Sequence, residues 1–256
     1  MEVHHHPKVD SHFHGKKNFK EYFLEFLMIF LAVTLGFFAE GIRENITDST
    51  KEKEYILSMM QDLRDDTSSI SKTINTLTAI SKDLDTMLSE LKSNTPNVAA
   101  LNNIISSHFW MYTGFSYNNR TVQQLKNAGN FRLLKNEAVA DSILQYDNLI
   151  NSIIMAQWND LKNTMYAYKD VEAKVISYQQ LSNIKSGHYT FSDSVFVSND
   201  IKTLITNDRQ TLALYYNKLF IHASLTHLFI SNLDYSKTSA IRLMNFIAKQ
   251  YNLENE

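Results

Sequence analysis

Apolar residues are concentrated in one uninterrupted run near the start of the chain. The run from Phe23 to Ala39 contains one charged residue, Glu25, which lies in its first turn. A helix that spans a bilayer needs about 20 mostly apolar residues, and rings such as those of Tyr22 and Phe38 favour the membrane–water interfaces. The pattern therefore predicts a transmembrane helix over residues 21–42.

Two other interpretations of this run stay open. The tripeptide Ala39-Glu-Gly41 has the small-x-small form of a signal-peptide cleavage site. A buried core helix is the second alternative, although residues 26–39 offer only Thr34 and Gly36 in place of a polar face. We expect an uncleaved anchor, because the stretch before the run is long and Glu25 interrupts the run.

After about residue 45 the apolar residues recur with helical spacing. Between residues 56 and 91 the intervals alternate between four and three, and one set recurs every seven residues: Ile56, Leu63, Ile70, Leu77, Leu84 and Leu91. A seven-residue repeat is typical of a coiled-coil seam. Met59, Ile80 and Met87 widen the stripe, which favours a bundle of several helices over a lone two-stranded coil.

The same spacing predicts four more helices. They cover residues 98–112, from Asn119 or Thr121 to Ala128, 136–182 and 208–251, and a loop over 184–206 contains a candidate hairpin between 188–191 and 195–197. We expect the core to include Leu63, Ile70, Leu77, Trp158, Leu161, Leu219, Leu233 and Met244.

These elements predict an all-α protein. One N-terminal transmembrane helix is followed by an elongated up-down helical bundle, in which residues 98–135 form a broken fourth element. The predicted organisation is a cytoplasmic His- and Lys-containing tail over residues 1–20, the membrane helix over 21–42 and an extracytoplasmic helical domain over 43–256.

Composition agrees with long helices and narrows the chemistry. The 256 residues include only 6 Gly and 2 Pro, so few residues interrupt helices. The absence of cysteine excludes thiolate zinc sites and cysteine nucleophiles. A net charge of −2 gives no basic field for nucleic acid, so we expect no nucleic-acid partner.

Candidate sites for catalysis or metal binding are weak. The histidines of the tail (His4, His5, His6, His12 and His14) are expected to be a surface tail without a built metal site. Asp62, Asp65 and Asp66 are expected on a solvated helix face, and His222 and His227 at partly exposed positions. Because no phosphate loop, zinc-protease or hydrolase motif occurs, we expect no enzyme, no cofactor and no metal.

The membrane helix contains the candidate contact residues. Ala32, Gly36 and Ala39 are spaced four and three apart, and Glu25 precedes Ala32 by seven, so the four lie near one face. Small residues let a second helix approach closely in a membrane. Besides the lipid bilayer, we therefore expect a homo-oligomer or another membrane protein as partner.

Two segments resemble a family of uncharacterised single-span proteins of the Gram-negative inner membrane. They are Glu25–Glu44, with an acidic residue at each end of the span, and Thr121–Tyr146, with a Gly-Asn break between two helices. The resemblance implies an inner-membrane protein with a helical extracytoplasmic part. The lysines of residues 1–20 favour a cytoplasmic N-terminus, which in a Gram-negative cell places the body in the periplasm. We expect a structural or interaction role; a periplasmic sensory or ligand-binding bundle that acts through a partner is the alternative.

Overall fold

The computed structural model describes residues 18–108, 114–178, 185–186, 189–190 and 203–253, and these are predominantly helical. The helices are α1 (Phe19–Lys92), α2 (Val98–His108), α3 (Arg120–Asn127), α4 (Glu137–Leu149), α5 (Met155–Glu172) and α6 (Arg209–Tyr251). A 3-10 turn (Asn130–Leu133) precedes α4, a π-helical turn (Ile150–Ile154) joins α4 to α5, and two short strands, β1 (Lys185–Ser186) and β2 (Tyr189–Thr190), precede α6. The all-α prediction is thus confirmed, as is the long apolar N-terminal helix.

The chain divides into two units, residues 1–52 and 53–256. The described part of the first unit is the N-terminal portion of α1. Among the described helices, α1 alone contains a stretch that is long and apolar enough to cross a membrane. Its best 18 residues have a mean hydropathy of 2.1, and none of them is buried.

The second unit is built around the stripe predicted on residues 56–91. Ile56, Leu63, Ile70, Leu77 and Leu84 are buried, and Leu91 packs partly buried at the end of the stripe. Of the other expected core residues, Leu161, Leu219 and Leu233 are buried, whereas Trp158 and Met244 pack partly buried against the core. The apolar periodicity therefore located most of the core correctly.

Hydrogen bonds show that α6 runs antiparallel to α4 and α5. Residue numbers rise along α4–α5 as they fall along α6 in three bonded pairs: Asn136–Gln250 at 2.8 Å, Gln157–Asn232 at 2.9 Å and Glu172–Tyr215 at 2.8 Å. The same reversal relates α1 to α6. Ser81 Oγ lies 3.1 Å from His227 Nε2, and Lys92 Nζ lies 5.4 Å from the ring centroid of Tyr216.

The predicted helix over residues 136–182 is wrong in two respects. A π-helical turn interrupts it at Ile150–Ile154, and α5 ends at Glu172. After Glu172 the backbone N–H groups of Val175 and Ile176 both donate to the Glu172 carbonyl, which turns the chain so that both side chains become buried. Helical periodicity did not predict this end, because a buried turn is as apolar as a buried helix.

Three connections between helices can be compared with the predictions in part. The helix predicted over 98–112 is present as α2 through His108, and its predicted last residues lie in 109–113, outside the described part. A described hairpin pairs Lys185 with Thr190 and Ser186 with Tyr189, whereas the strand predicted over 195–197 lies in residues 191–202, outside the described part. The Gly-Asn break agrees with the prediction, because Gly129 has φ +63°, a conformation that favours glycine.

Candidate functional site

The four predicted membrane-contact residues all lie in α1, within the first unit. Glu25, Ala32, Gly36 and Ala39 are exposed. A Cβ built on Gly36 would meet no atom within 4 Å, so no described residue occupies the space over that position. The face is geometrically able to receive another helix, and its use as a contact stays a prediction.

Polar groups around the apolar run are satisfied within α1. The Thr34 hydroxyl donates to the carbonyl of Phe30 at 2.7 Å, which removes the cost of placing that hydroxyl among apolar neighbours. At the end of the run Arg43 forms an ion pair with Glu40. Charged side chains thus begin where residues 21–42 are predicted to leave the bilayer.

The most elaborate polar cluster lies in the second unit, and the sequence analysis missed it. Asp62 and Asp66 are buried, at 1% and 0% exposure, so the solvated face predicted for them is wrong; Asp65 alone of the three is exposed. Both carboxylates receive hydrogen bonds from the segment between residues 114 and 121. They are buried because that segment brings backbone donors to them.

Asp62 caps the N-terminus of α3 from α1. Its Oδ2 accepts from the backbone N–H of Thr121 at 3.0 Å and from the Thr121 hydroxyl, and its Oδ1 accepts from Arg120 at 2.8 Å. The first N–H groups of a helix have no partner within the helix, and the N-cap residue Asn119 makes no side-chain cap. A carboxylate from a neighbouring helix therefore supplies the missing acceptor, with a favourable charge for a helix N-terminus.

Asp66 is buried without a cationic partner among its hydrogen bonds. Its Oδ1 accepts from the backbone N–H of Asn118 at 2.8 Å and from the Asn118 side chain at 3.0 Å, and its Oδ2 accepts from the Tyr146 hydroxyl at 2.9 Å. Burial raises the pKa of Asp66 to about 6, although these three hydrogen bonds act to lower it and the nearby Asp62 raises it further.

Asp147 is the third buried carboxylate of this cluster and belongs to α4. It accepts from the Tyr117 hydroxyl at 2.7 Å and from the Asn151 side chain at 2.9 Å, and it forms an ion pair with Lys126 of α3. The three aspartates thus fasten residues 114–127 to α1 and α4. Because every one of their oxygens accepts from a protein donor, the cluster is suited to holding structure, and no group of three or more His, Asp or Glu among the described residues is arranged to hold a metal.

One signal in the sequence marked this cluster. Asp62, Asp66, Ser69 and Thr73 are spaced four, three and four apart, which gives α1 a polar stripe beside its apolar one. All four contact residues 114–121, since Ser69 and Thr73 lie 3.4 Å from Ser116 N and Gly114 O. A polar stripe at helical spacing is compatible with a face that contacts solvent and with a face that contacts another polar segment. Only the three-dimensional structure distinguishes the two.

A small cavity lies beside His222, between α1, α2, α5 and α6. The prediction of partial exposure for His222 is wrong: it is buried, its Nδ1 lies 3.0 Å from Thr164 Oγ1, and its ring centroid lies 4.9 Å from that of Tyr168. Burial, with a contribution from the positive charge of Lys169, lowers the pKa of His222 to about 4. The cavity measures about 60 Å³, the share of roughly two liquid waters, whereas sites for drug-sized ligands measure about 300 Å³ or more.

A serine, a histidine and an aspartate meet between α1 and α6, without the geometry of a catalytic triad. Ser81 Oγ lies at similar distances from both ring nitrogens of His227, 3.1 Å from Nε2 and 3.2 Å from Nδ1, and Asp85 Oδ1 lies 3.3 Å from Nε2 as well. In a triad the hydroxyl and the carboxylate bind opposite ring nitrogens. Ser81 also lies inside α1, where helical hydrogen bonds use the backbone N–H groups that an oxyanion hole needs. The group is a polar contact between two helices.

No family model, curated protein or solved structure matches the chain. The likeness of Glu25–Glu44 and Thr121–Tyr146 to single-span inner-membrane proteins therefore stays a prediction.

Proposed function

We propose that the protein is a single-pass membrane protein that acts by association with other polypeptides rather than by catalysis. The observation that carries the proposal is the exposed apolar part of α1. Phe23, Ile29 and Phe37 are 53%, 62% and 75% exposed, and the whole apolar window is unburied. Soluble monomers seldom expose an apolar patch larger than a few hundred Å², and a bilayer would cover this one.

The proposed orientation places the N-terminus in the cytoplasm. Residues 1–20 contain four lysines, whereas Arg43, Lys51 and Lys53 follow the span among four acidic residues, Glu44, Asp48, Glu52 and Glu54. Lysine and arginine near a span favour the cytoplasmic side. In a Gram-negative inner membrane the body would then be periplasmic, in agreement with the extracytoplasmic part that the resemblance implies.

We propose that the body is an up-down bundle with a coiled-coil seam on α1. The antiparallel hydrogen bonds of α6 with α4–α5 and with α1 support this arrangement. Residues 98–135 would be the broken fourth element. Within it Asn118 bonds to Asp66 and Asn130 to Tyr55, so this part also runs opposite to α1.

The association proposal includes the small-residue face of the span. Replacing Gly36 with Ile places a branched side chain between Ala32 and Ala39, so a helix packed there must move away. We expect Gly36→Ile to reduce the assembly of the full-length protein, measured by light scattering or crosslinking in mild detergent.

A matched control is available at Gly41. It lies about 140° from Gly36 around the helix, and a Cβ there also meets nothing within 4 Å. Gly41→Ile should leave the assembly unchanged. A wild-type assembly that Gly36→Ile does not alter would remove the span from the interface.

A further inference from the structure

A row of large apolar side chains lies exposed along α6. Leu214, Ile221, Leu228 and Tyr235 are 47%, 51%, 48% and 58% exposed. They are seven residues apart, so they follow one face of the helix over about 32 Å. The buried face of α6, which contains Tyr215, Leu219 and Leu233, is used inside the body, and we call the four exposed residues the α6 row.

The surroundings of the α6 row are small and almost uncharged. The positions three residues after each member are Asn217, Ser224, Ser231 and Thr238. Among the positions three or four residues from any member, the only charge is Lys218. Short side chains let another helix approach closely, and the near absence of charge gives a strongly acidic or basic partner nothing to pair with.

We propose that the α6 row binds the α6 row of a second copy of this chain. A seven-residue apolar repeat fits a helix with the same repeat. Among the exposed large apolar residues described in the body, these four are the ones that recur at every seventh position. A two-fold symmetric pair brings the same patch of both copies together, so one row supplies both halves of the interface.

The size of the row predicts a weak interface that the membrane strengthens. If each half-exposed side chain buries roughly 100 Å², the pair buries about 800 Å², below the roughly 1,200 Å² of a stable interface. Anchoring both copies in one bilayer raises their effective concentration. This inference therefore deepens the proposed function and rests on the anchor for its strength, but it uses a surface separate from Gly36.

The chain contains no cysteine, so single cysteines report on this interface directly. The full-length protein carrying Ile221→Cys would be reconstituted in lipid vesicles and oxidised. A parallel pair places residue 221 against residue 221, so this variant should form disulfide-linked dimers. An antiparallel pair places residue 221 against residue 228, so a mixture of Ile221→Cys and Leu228→Cys should crosslink instead.

Phe220→Cys is the matched control, because Phe220 is 53% exposed but lies about 100° away around the helix. It should give only background dimer. Adding Leu228→Lys to the Ile221→Cys protein should lower its crosslinking to that background, with an unchanged circular-dichroism spectrum showing that the fold is kept.

The proposal would be overturned if neither Ile221→Cys alone nor its mixture with Leu228→Cys formed crosslinked dimers. Crosslinking only to a different protein would overturn it as well. Failure of the proposed function would look different, because the protein would then separate from the vesicles before any oxidation.

Discussion

Asp66 and His222 are buried side chains of the body, and their contributions to the free energy of unfolding change with pH in opposite directions. The pKa of Asp66 is raised from 3.8 to about 6, so its ionised form costs folding free energy above pH 6. That cost disappears as the pH falls from 6 to 4, because the folded state then holds a proton that the unfolded state does not. The difference corresponds to about 3 kcal/mol.

His222 has the reverse effect over nearly the same window. Its pKa is lowered from 6.5 to about 4, so its neutral form favours the folded state above pH 6.5. That stabilisation is lost as the pH falls from 6.5 to 4, again by about 3 kcal/mol. The contributions of the two residues therefore nearly cancel between pH 4 and 6.5.

Single substitutions should expose this cancellation. Relative to the wild type, Asp66→Asn should lose about 3 kcal/mol of unfolding free energy between pH 7 and 4, because the gain from protonating Asp66 is gone. His222→Gln should gain a similar amount over the same range. Denaturant unfolding of the full-length protein in detergent, followed by circular dichroism at each pH, measures both.

Asp65→Asn changes the exposed neighbour of Asp66 and should track the wild type at every pH. If Asp66→Asn also tracked the wild type, Asp66 would not titrate in this window and the account of its burial would be wrong.

The parts of the fold that could be predicted are those that a local sequence pattern specifies. The apolar stripe of α1 is buried, as its spacing predicted. The last helix was predicted to begin at Asp208, and Asp208 is the N-cap of α6: its side chain accepts a hydrogen bond from Thr211 N at 2.8 Å. The burial of Asp62 and Asp66 depends on residues 114–121, which lie about fifty positions away. The exposure of the α6 row depends on which helices surround α6, so neither could follow from the residues themselves.

The π-helical turn between α4 and α5 also left a trace in the sequence. Tyr146, Ile150, Ile154 and Trp158 are spaced by three successive fours, where a regular stripe alternates fours and threes. One extra residue in the turn at Ile150–Ile154 keeps the stripe on the same face on both sides. The extra residue of the π-helical turn thus compensates for the additional interval of four between the core side chains.

Deleting Ser152, an exposed residue within the π-helical turn, should therefore be tolerated. The remaining residues can form a continuous α-helix whose stripe alternates fours and threes, so stability should change little. Deleting Asn163, an exposed residue of α5, should strongly destabilise the protein. The deletion rotates the later core residues of α5 by about 100° around the helix axis, away from the core. The melting temperatures of the two deletion variants, compared with that of the wild type, test this prediction. An equal loss of stability in both would show that the π-helical turn does not accommodate the deletion.

At the scale of the whole molecule, the protein consists of an exposed apolar helix segment and a helical body. The aspartate cluster of the described body is satisfied internally, and the cavity beside His222 is small. Its exposed apolar surfaces include the apolar run of α1 and the α6 row, and both are suited to contacts with lipid or with other helices. The proposed association at the membrane therefore requires that the mature protein retains the span.

Labelling of single cysteines in spheroplasts tests that central claim most directly. Asn18→Cys and Thr50→Cys place exposed thiols on the two sides of the span in a chain that otherwise has none. A membrane-impermeant maleimide added to spheroplasts should label Thr50→Cys at once, and Asn18→Cys only after permeabilisation, with both variants in the membrane fraction. A soluble mature protein that lacks residue 18 would contradict the account, because the apolar run would then be a cleaved signal peptide.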